Sequence, residues 1–304
     1  MSPTFAALAP IFALIALGFA LKRTVFRAEA FWEPIEKITY FVLFPVLLVV
    51  SMAQARVAGP VIGPLAGVLA GTMLAITLLL ALLRPALRIG GPAFSSVAQG
   101  SIRFNTYVGL AAASALYGPP GVALLAIVLA LMVPLSNILS VLALVRHAGA
   151  GGPGWRGTAR ELATNPLIVA SLIGLTLSLT DTPLPPLIAP ALESLGRASL
   201  ALGLLAVGAG LNLGAVAAGR IGLVVSVVLK LLVSPLLAFY ACRALGLGWL
   251  ATAVGVLFAA LPPAPTAFVL ARRLGGDHAL MAGIITVQTI LAALTLPLIL
   301  SLLG

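Results

Sequence analysis

Charge is what this 304-residue chain has least of: 8% of its residues are Asp, Glu, Lys or Arg, while 62% are hydrophobic. So few charges cannot cover a water-facing surface, which excludes a soluble globular domain. Acids are scarcer still, seven against 17 Lys and Arg. Those seven, Glu29, Glu33, Glu36, Glu161, Asp181, Glu193 and Asp277, all lie away from the middle of an apolar run. That argues against a carboxylate dyad and weakens any Na⁺ or H⁺ relay built on a buried acid. The one cysteine, Cys242, excludes an internal disulfide. His147 and His278 are the only histidines and fall in expected loops, so no metal centre and no cofactor is expected. Metalloprotease, nucleophile-elbow and Walker A patterns are missing, and Gly208-Ala209-Gly210 lacks the last glycine of a dinucleotide fingerprint. The expectation is a protein that is not an enzyme.

What is there is apolar sequence in long runs. Mean hydropathy is +1.21, and the 31 glycines and 22 prolines suit membrane helices, which tolerate both. Crossing ~30 Å of hydrocarbon takes about 20 residues. Ten runs qualify, at 3–21, 35–54, 60–82, 94–117, 121–145, 164–180, 189–211, 219–241, 249–273 and 279–302. The fold class is therefore an all-α polytopic membrane protein. Net charge is +10, but the cations are scattered between runs, the pattern of cytoplasmic loops rather than of a nucleic-acid surface. With the first loop cytoplasmic, the inner connections hold eleven cations (Lys22, Arg23, Arg27, Arg84, Arg88, Arg146, Arg156, Arg160, Arg220, Arg272, Arg273) and the outer ones three (Arg56, Arg197, Arg243). Both termini are then expected outside a cytoplasmic (inner) membrane. Lys22, Arg23 and Arg27 follow the first run instead of preceding it, so it reads as a retained helix and not a cleaved signal.

The glycine-rich stretch 147–163 divides the chain into a first repeat of five spans, 1–146, and a second, 164–304. An odd number of spans per half makes the halves insert in opposite senses, an inverted repeat. The halves align at an offset of 157, at which Leu116-Tyr117-Gly118 meets Arg273-Leu274-Gly275. In the third span Gly59, Gly63, Gly67 and Gly71 form a stripe expected to let another helix of the chain approach closely, with a dimer seam as the alternative.

Two spans are interrupted at membrane depth. Pro262, Pro263 and Pro265 cannot continue a helix. At the same offset, Asn105 lies in the polar cluster Arg103-Phe104-Asn105-Thr106-Tyr107. Paired interruptions of this kind mark a transporter's binding site. Asn105 is expected to cap the second half of the fourth span, with the N–H groups of Thr106, Tyr107 and Val108 facing an anion. Pro262 and Pro263 shape the other side, with Thr266 just beyond. Lys230, near the middle of span eight, either bonds carbonyls freed at the breaks or attracts an anionic substrate. Arg103 is expected to snorkel towards the interface. Ser51, Gln54, Asn137 and Gln288 are further candidates, each with an interhelical hydrogen bond as the plainer role.

The stretches Tyr40 to Pro45, Ser101 to Thr106, Val133 to Asn137, Asn165 to Ile168, Leu229 to Pro235, Ala259 to Pro262 with Ala271, and Thr286 to Pro297 follow one another along nearly the whole chain. Together they resemble the auxin efflux carrier family, bacterial relatives of the plant PIN-FORMED carriers. The resemblance implies ten helices in two inverted repeats, with broken crossing helices 4 and 9. It implies a scaffold of helices 1, 2, 6 and 7, a transport domain of helices 3–5 and 8–10, and a homodimer through the scaffold. It also implies elevator-type movement of small organic anions, auxin-like or dicarboxylate, with Asn105 and Pro262 at the crossing. Phe104 stands where the plant carriers have proline, so the first break is expected to be softer. The expected function is anion export driven by membrane potential. A Na⁺- or H⁺-coupled carrier and a ligand sensor that moves nothing are the alternatives.

Overall fold

The computed structural model describes residues 3–54, 59–148, 164, 166–217 and 220–303. Most of the glycine-rich linker, Gly149 to Ala163, lies outside the described residues, as do Arg56 and Asn165. Among the described residues every regular element is helical. Seven stretches are long and apolar enough to cross a membrane: Pro3–Thr24, Glu29–Gln54, Pro60–Leu87, Gly91–Ala148, Ala189–Ala209, Arg220–Ala244 and His278–Leu302. Two shorter apolar helices, Pro166–Leu179 and Trp249–Ala260, accompany them. The stretch Gly91–Ala148 has 58 residues. At 1.5 Å per residue it would reach about 87 Å, so it passes ~30 Å of hydrocarbon more than once.

The helices are α1 (Pro3–Thr24), α2 (Glu29–Ile38), α3 (Phe44–Gln54), α4 (Gly59–Leu87), α5 (Gly91–Ile102), α6 (Thr106–Ala148), α7 (Pro166–Leu179), α8 (Ala189–Ala209), α9 (Arg220–Val228), α10 (Ser234–Ala244), α11 (Trp249–Ala260), α12 (Thr266–Arg273) and α13 (His278–Leu303). Two π-helical turns, Thr39–Leu43 and Leu229–Val233, join α2 to α3 and α9 to α10. Each ends two residues before a proline, Pro45 or Pro235. Proline has no N–H for the carbonyl four residues back, and the backbone widens by one residue there. His147 and His278 lie in the terminal turns of α6 and α13, not in loops, and each ring meets an aromatic edge, Phe94 or Phe268.

Two compact units divide the chain. Unit 1 comprises 1–62, 107–130 and 155–210. In it α1 lies along α8, and α3 along α7 and α8. Backbone approach sets this packing, since a Cβ on Gly18 would fall on the Leu205 carbonyl and one on Gly208 on that of Ile15. Unit 2 comprises 63–106, 131–154 and 211–304. Here α5 packs on α9 and α13, and α11 on α10 and α13. Gly100 is a point of close approach near the end of α5, where a Cβ would collide with Ile284 and Ser226.

The glycine stripe of α4 corrects an expectation. A Cβ at Gly63, Gly67 or Gly71 would meet nothing within 4 Å, so no helix among the described residues packs there. The same helix carries the exposed Leu74, Leu78 and Leu82 at the three- and four-residue steps that continue this face. The stripe is on the outward side of α4.

Backbone geometry recurs along the sequence. α5 and α11 are 12 residues each and start 158 positions apart. Their N-caps, Gly90 and Gly248, are extended (ψ 159° and 165°), and so are their C-caps, Arg103 and Leu261 (ψ 159° and 133°). The left-handed residues Arg88 and Gly246 (φ 50° and 65°) precede them, and Gly118 and Gly275 (φ 61° and 72°) follow.

Candidate functional site

Both interruptions lie in unit 2. α5 stops at Ile102 and α6 begins at Thr106, directly after Asn105; α11 stops at Ala260 and α12 begins at Thr266. At each stop one N–H closes the last turn, Arg103 to the Gln99 carbonyl (2.8 Å) and Leu261 to that of Phe258 (3.3 Å). The prolines account for the second break. At the start of α12, Ala267 and Phe268 already donate to the Ala264 and Pro265 carbonyls, both at 3.0 Å. With Pro262, Pro263 and Pro265 lacking N–H, this break offers an anion little backbone.

The two breaks touch. The Phe104 ring rests on Phe258, centroids 4.5 Å apart. Arg103 Nη1 donates to Asn137 Oδ1 at 3.1 Å, and Nη2 donates to Thr266 Oγ1 at 3.5 Å. Instead of simply snorkelling, the guanidinium spans from the end of α5 to the start of α12. Asn105, Pro262 and Pro263 are buried, Arg103, Thr106 and Asn137 half-buried, and Thr266 exposed. The structure thus brings together Thr266 and Asn137 from the expected set, with Arg103 linking them. Its role was missed because a cation next to an apolar run looks the same whether it points to water or across a break.

Other expected residues serve different contacts. Gln288 Nε2 donates to the Gly100 carbonyl (3.1 Å) and to Ser226 Oγ (2.9 Å), stapling α13 to the last turn of α5. Lys230 sits on the second π-turn, 2% exposed. No hydrogen bond or ion pair reaches its ammonium among the described residues, so the expected bonds to break carbonyls are not among its contacts. Beside it is a cavity of about 10 Å³ lined by Thr72, Ser101, Ser234 and Phe258, among others. That is room for about one water.

The remaining candidates belong to unit 1. Tyr107 stacks on Phe44, centroids 4.5 Å apart and planes 14° from parallel. Ser51 is buried in α3. Gln54 Nε2 donates to Glu193 Oε1 at 2.9 Å, tying α3 to α8.

No group of three or more His, Cys, Asp or Glu side chains is placed to hold a metal among the described residues. Residues 156–300 match a family model whose description is membrane transport protein. A comparison with curated proteins gave no match.

Proposed function

We propose that this multi-pass membrane protein, whose residues 156–300 match the membrane transport protein family model, the auxin efflux carrier domain, exports small organic anions through the two-break region of unit 2. One observation supports this reading above the others. Two helices are interrupted inside apolar sequence, and the interruptions meet at a guanidinium, an amide and a hydroxyl. Polar backbone and side chains at such depth are tolerated where they line a cavity or a ligand path. Asn105, Thr106 and Thr266 are the residues proposed to meet the cargo, with Pro262 and Pro263 shaping the site. Auxin-like acids and dicarboxylates are the proposed cargo class.

The proposed architecture is ten crossing helices in two inverted five-helix repeats. The recurrence of turns, caps and 12-residue helices at 157 to 158 positions supports it. So does the 58-residue stretch, too long for one passage. We further propose that segments of unit 2 move against a scaffold that includes α1, α3, α7 and α8, as in an elevator, and that two copies associate through the scaffold. The packing of α5 on α9 and α13, and of α11 on α10 and α13, within unit 2 favours the first proposal. The loop cations favour both termini outside a cytoplasmic membrane.

Membrane potential is sufficient drive. An interior-negative potential favours anion exit by about 2.3 kcal/mol per 100 mV, roughly a fortyfold gradient for a monoanion. The test is uptake of labelled carboxylates, chosen by thermal-shift screening of the purified protein, into proteoliposomes with an imposed potential. Uptake should follow the potential without any Na⁺ or H⁺ gradient. Uptake that ignores potential and needs such a gradient would replace this drive with ion coupling. Binding without counterflow would make the protein a sensor.

A further inference from the structure

Two cations lie well inside the apolar helical stretches of unit 2, away from their ends, Arg103 and Lys230, and their surroundings decide which can meet an anion. Lys230 faces a space of about 10 Å³ whose walls include Leu69, Met73, Ile76 and Ile102. A carboxylate-bearing molecule is many times larger than the one water that fits there. Arg103 stands at the meeting of the two breaks, half-buried, with the exposed Thr266 hydroxyl as one partner. We infer that Arg103 is the charge-selecting residue of the carrier, the group that makes it prefer a carboxylate over a neutral molecule of the same shape. This rests on the anion-carrier reading above and adds to it the residue that reads the charge.

The geometry gives the guanidinium a fixed arm and a replaceable one. Asn137 Oδ1 holds Nη1 at 3.1 Å, an ordinary hydrogen bond. Thr266 Oγ1 takes Nη2 at 3.5 Å, the long limit of such a bond. A carboxylate is a stronger acceptor than a neutral hydroxyl and takes two parallel N–H bonds from one guanidinium. It would displace Thr266 while Asn137 keeps the fork aimed. Arg103 has extended backbone and closes α5 through its own N–H to Gln99, so the side chain starts from a fixed point. The arrangement asks for a planar carboxylate and is indifferent to the rest of the molecule.

The experiment is competitive uptake into proteoliposomes of malate and indole-3-acetate, each against its neutral amide. The readout is the carboxylate-to-amide preference of the unaltered protein and four variants. Arg103→Gln should lower that preference at least about tenfold, the cost of one charge-assisted pair, and Arg103→Lys should keep part of it. Asn137→Asp leaves Arg103 in place but hands it an internal carboxylate, and should also abolish the preference. Where Arg103→Gln does not insert, Asn137→Asp decides: a preference lost supports the assignment, a preference kept overturns it. A full preference in a well-inserted Arg103→Gln also overturns it, as does its loss in Lys230→Met alone. Wild-type protein that moves neither carboxylate would instead remove the anion-carrier reading, and this assignment with it.

Discussion

Asn105 is buried at the first break, one residue before α6 starts. A short amide at that position can satisfy N–H groups of the next turn that no carbonyl reaches. Alanine keeps the chain path but supplies neither an acceptor for those N–H groups nor an amide N–H donor for an anion. Asn105→Ala is expected to insert normally and to transport at least about tenfold more slowly, the loss of a hydrogen bond made to a charged cargo. Reconstituted uptake checks this, and a wild-type rate would remove Asn105 from the site. Lys230 leads to the opposite expectation. An enclosed cation with no ion pair among the described residues is costly, and an apolar residue of similar length avoids that desolvation penalty. Lys230→Met should therefore melt no lower than wild type in detergent, and its losses in uptake should be equal for anions and neutral analogues. A selective loss for anions would return Lys230 to the cargo.

At the scale of elements, the second break is the one whose cause is written in the chain, because three prolines remove three donors. Pro262→Ala with Pro263→Ala restores two of them and removes a penalty of about 3 kcal/mol per proline against helix. α11 is expected to extend towards Pro265, with slower hydrogen exchange over residues 261–266 and uptake reduced several-fold. Unchanged exchange and unchanged uptake would mean the break is imposed by its surroundings. The first break is of that other kind. Nothing in Arg103-Phe104 forbids helix locally, and the polar cluster only hinted at what Phe258, Asn137 and Thr266 hold in place. Apolar runs and prolines were legible because hydrocarbon and a missing N–H act on the local chain. Side-chain partners such as Gln54 with Glu193 or Gln288 with Ser226 were not, since they join residues 139 and 62 positions apart. The α4 stripe misled for a related reason: small residues permit close approach but do not say from which side.

For the whole molecule, the spacing of special backbone conformations makes the sharpest claim. Arg88 and Gly246 are both left-handed, 158 positions apart, and each leads through a glycine N-cap into a 12-residue helix that ends extended. In a repeat of even span number the two turns would reach the same side of the membrane. With five spans per half they must reach opposite sides. Cys242 is the one cysteine and is buried, so a Cys242→Ala background leaves no competing thiol. On that background Arg88→Cys and Leu245→Cys introduce single thiols at exposed positions in the two turns. In right-side-out vesicles a membrane-impermeant maleimide should label Leu245→Cys at once and Arg88→Cys only after the membrane is opened, with the order reversed in inverted vesicles. Labelling of both from one face would end the inverted repeat, and with it any mechanism in which the two breaks approach the cargo from opposite leaflets.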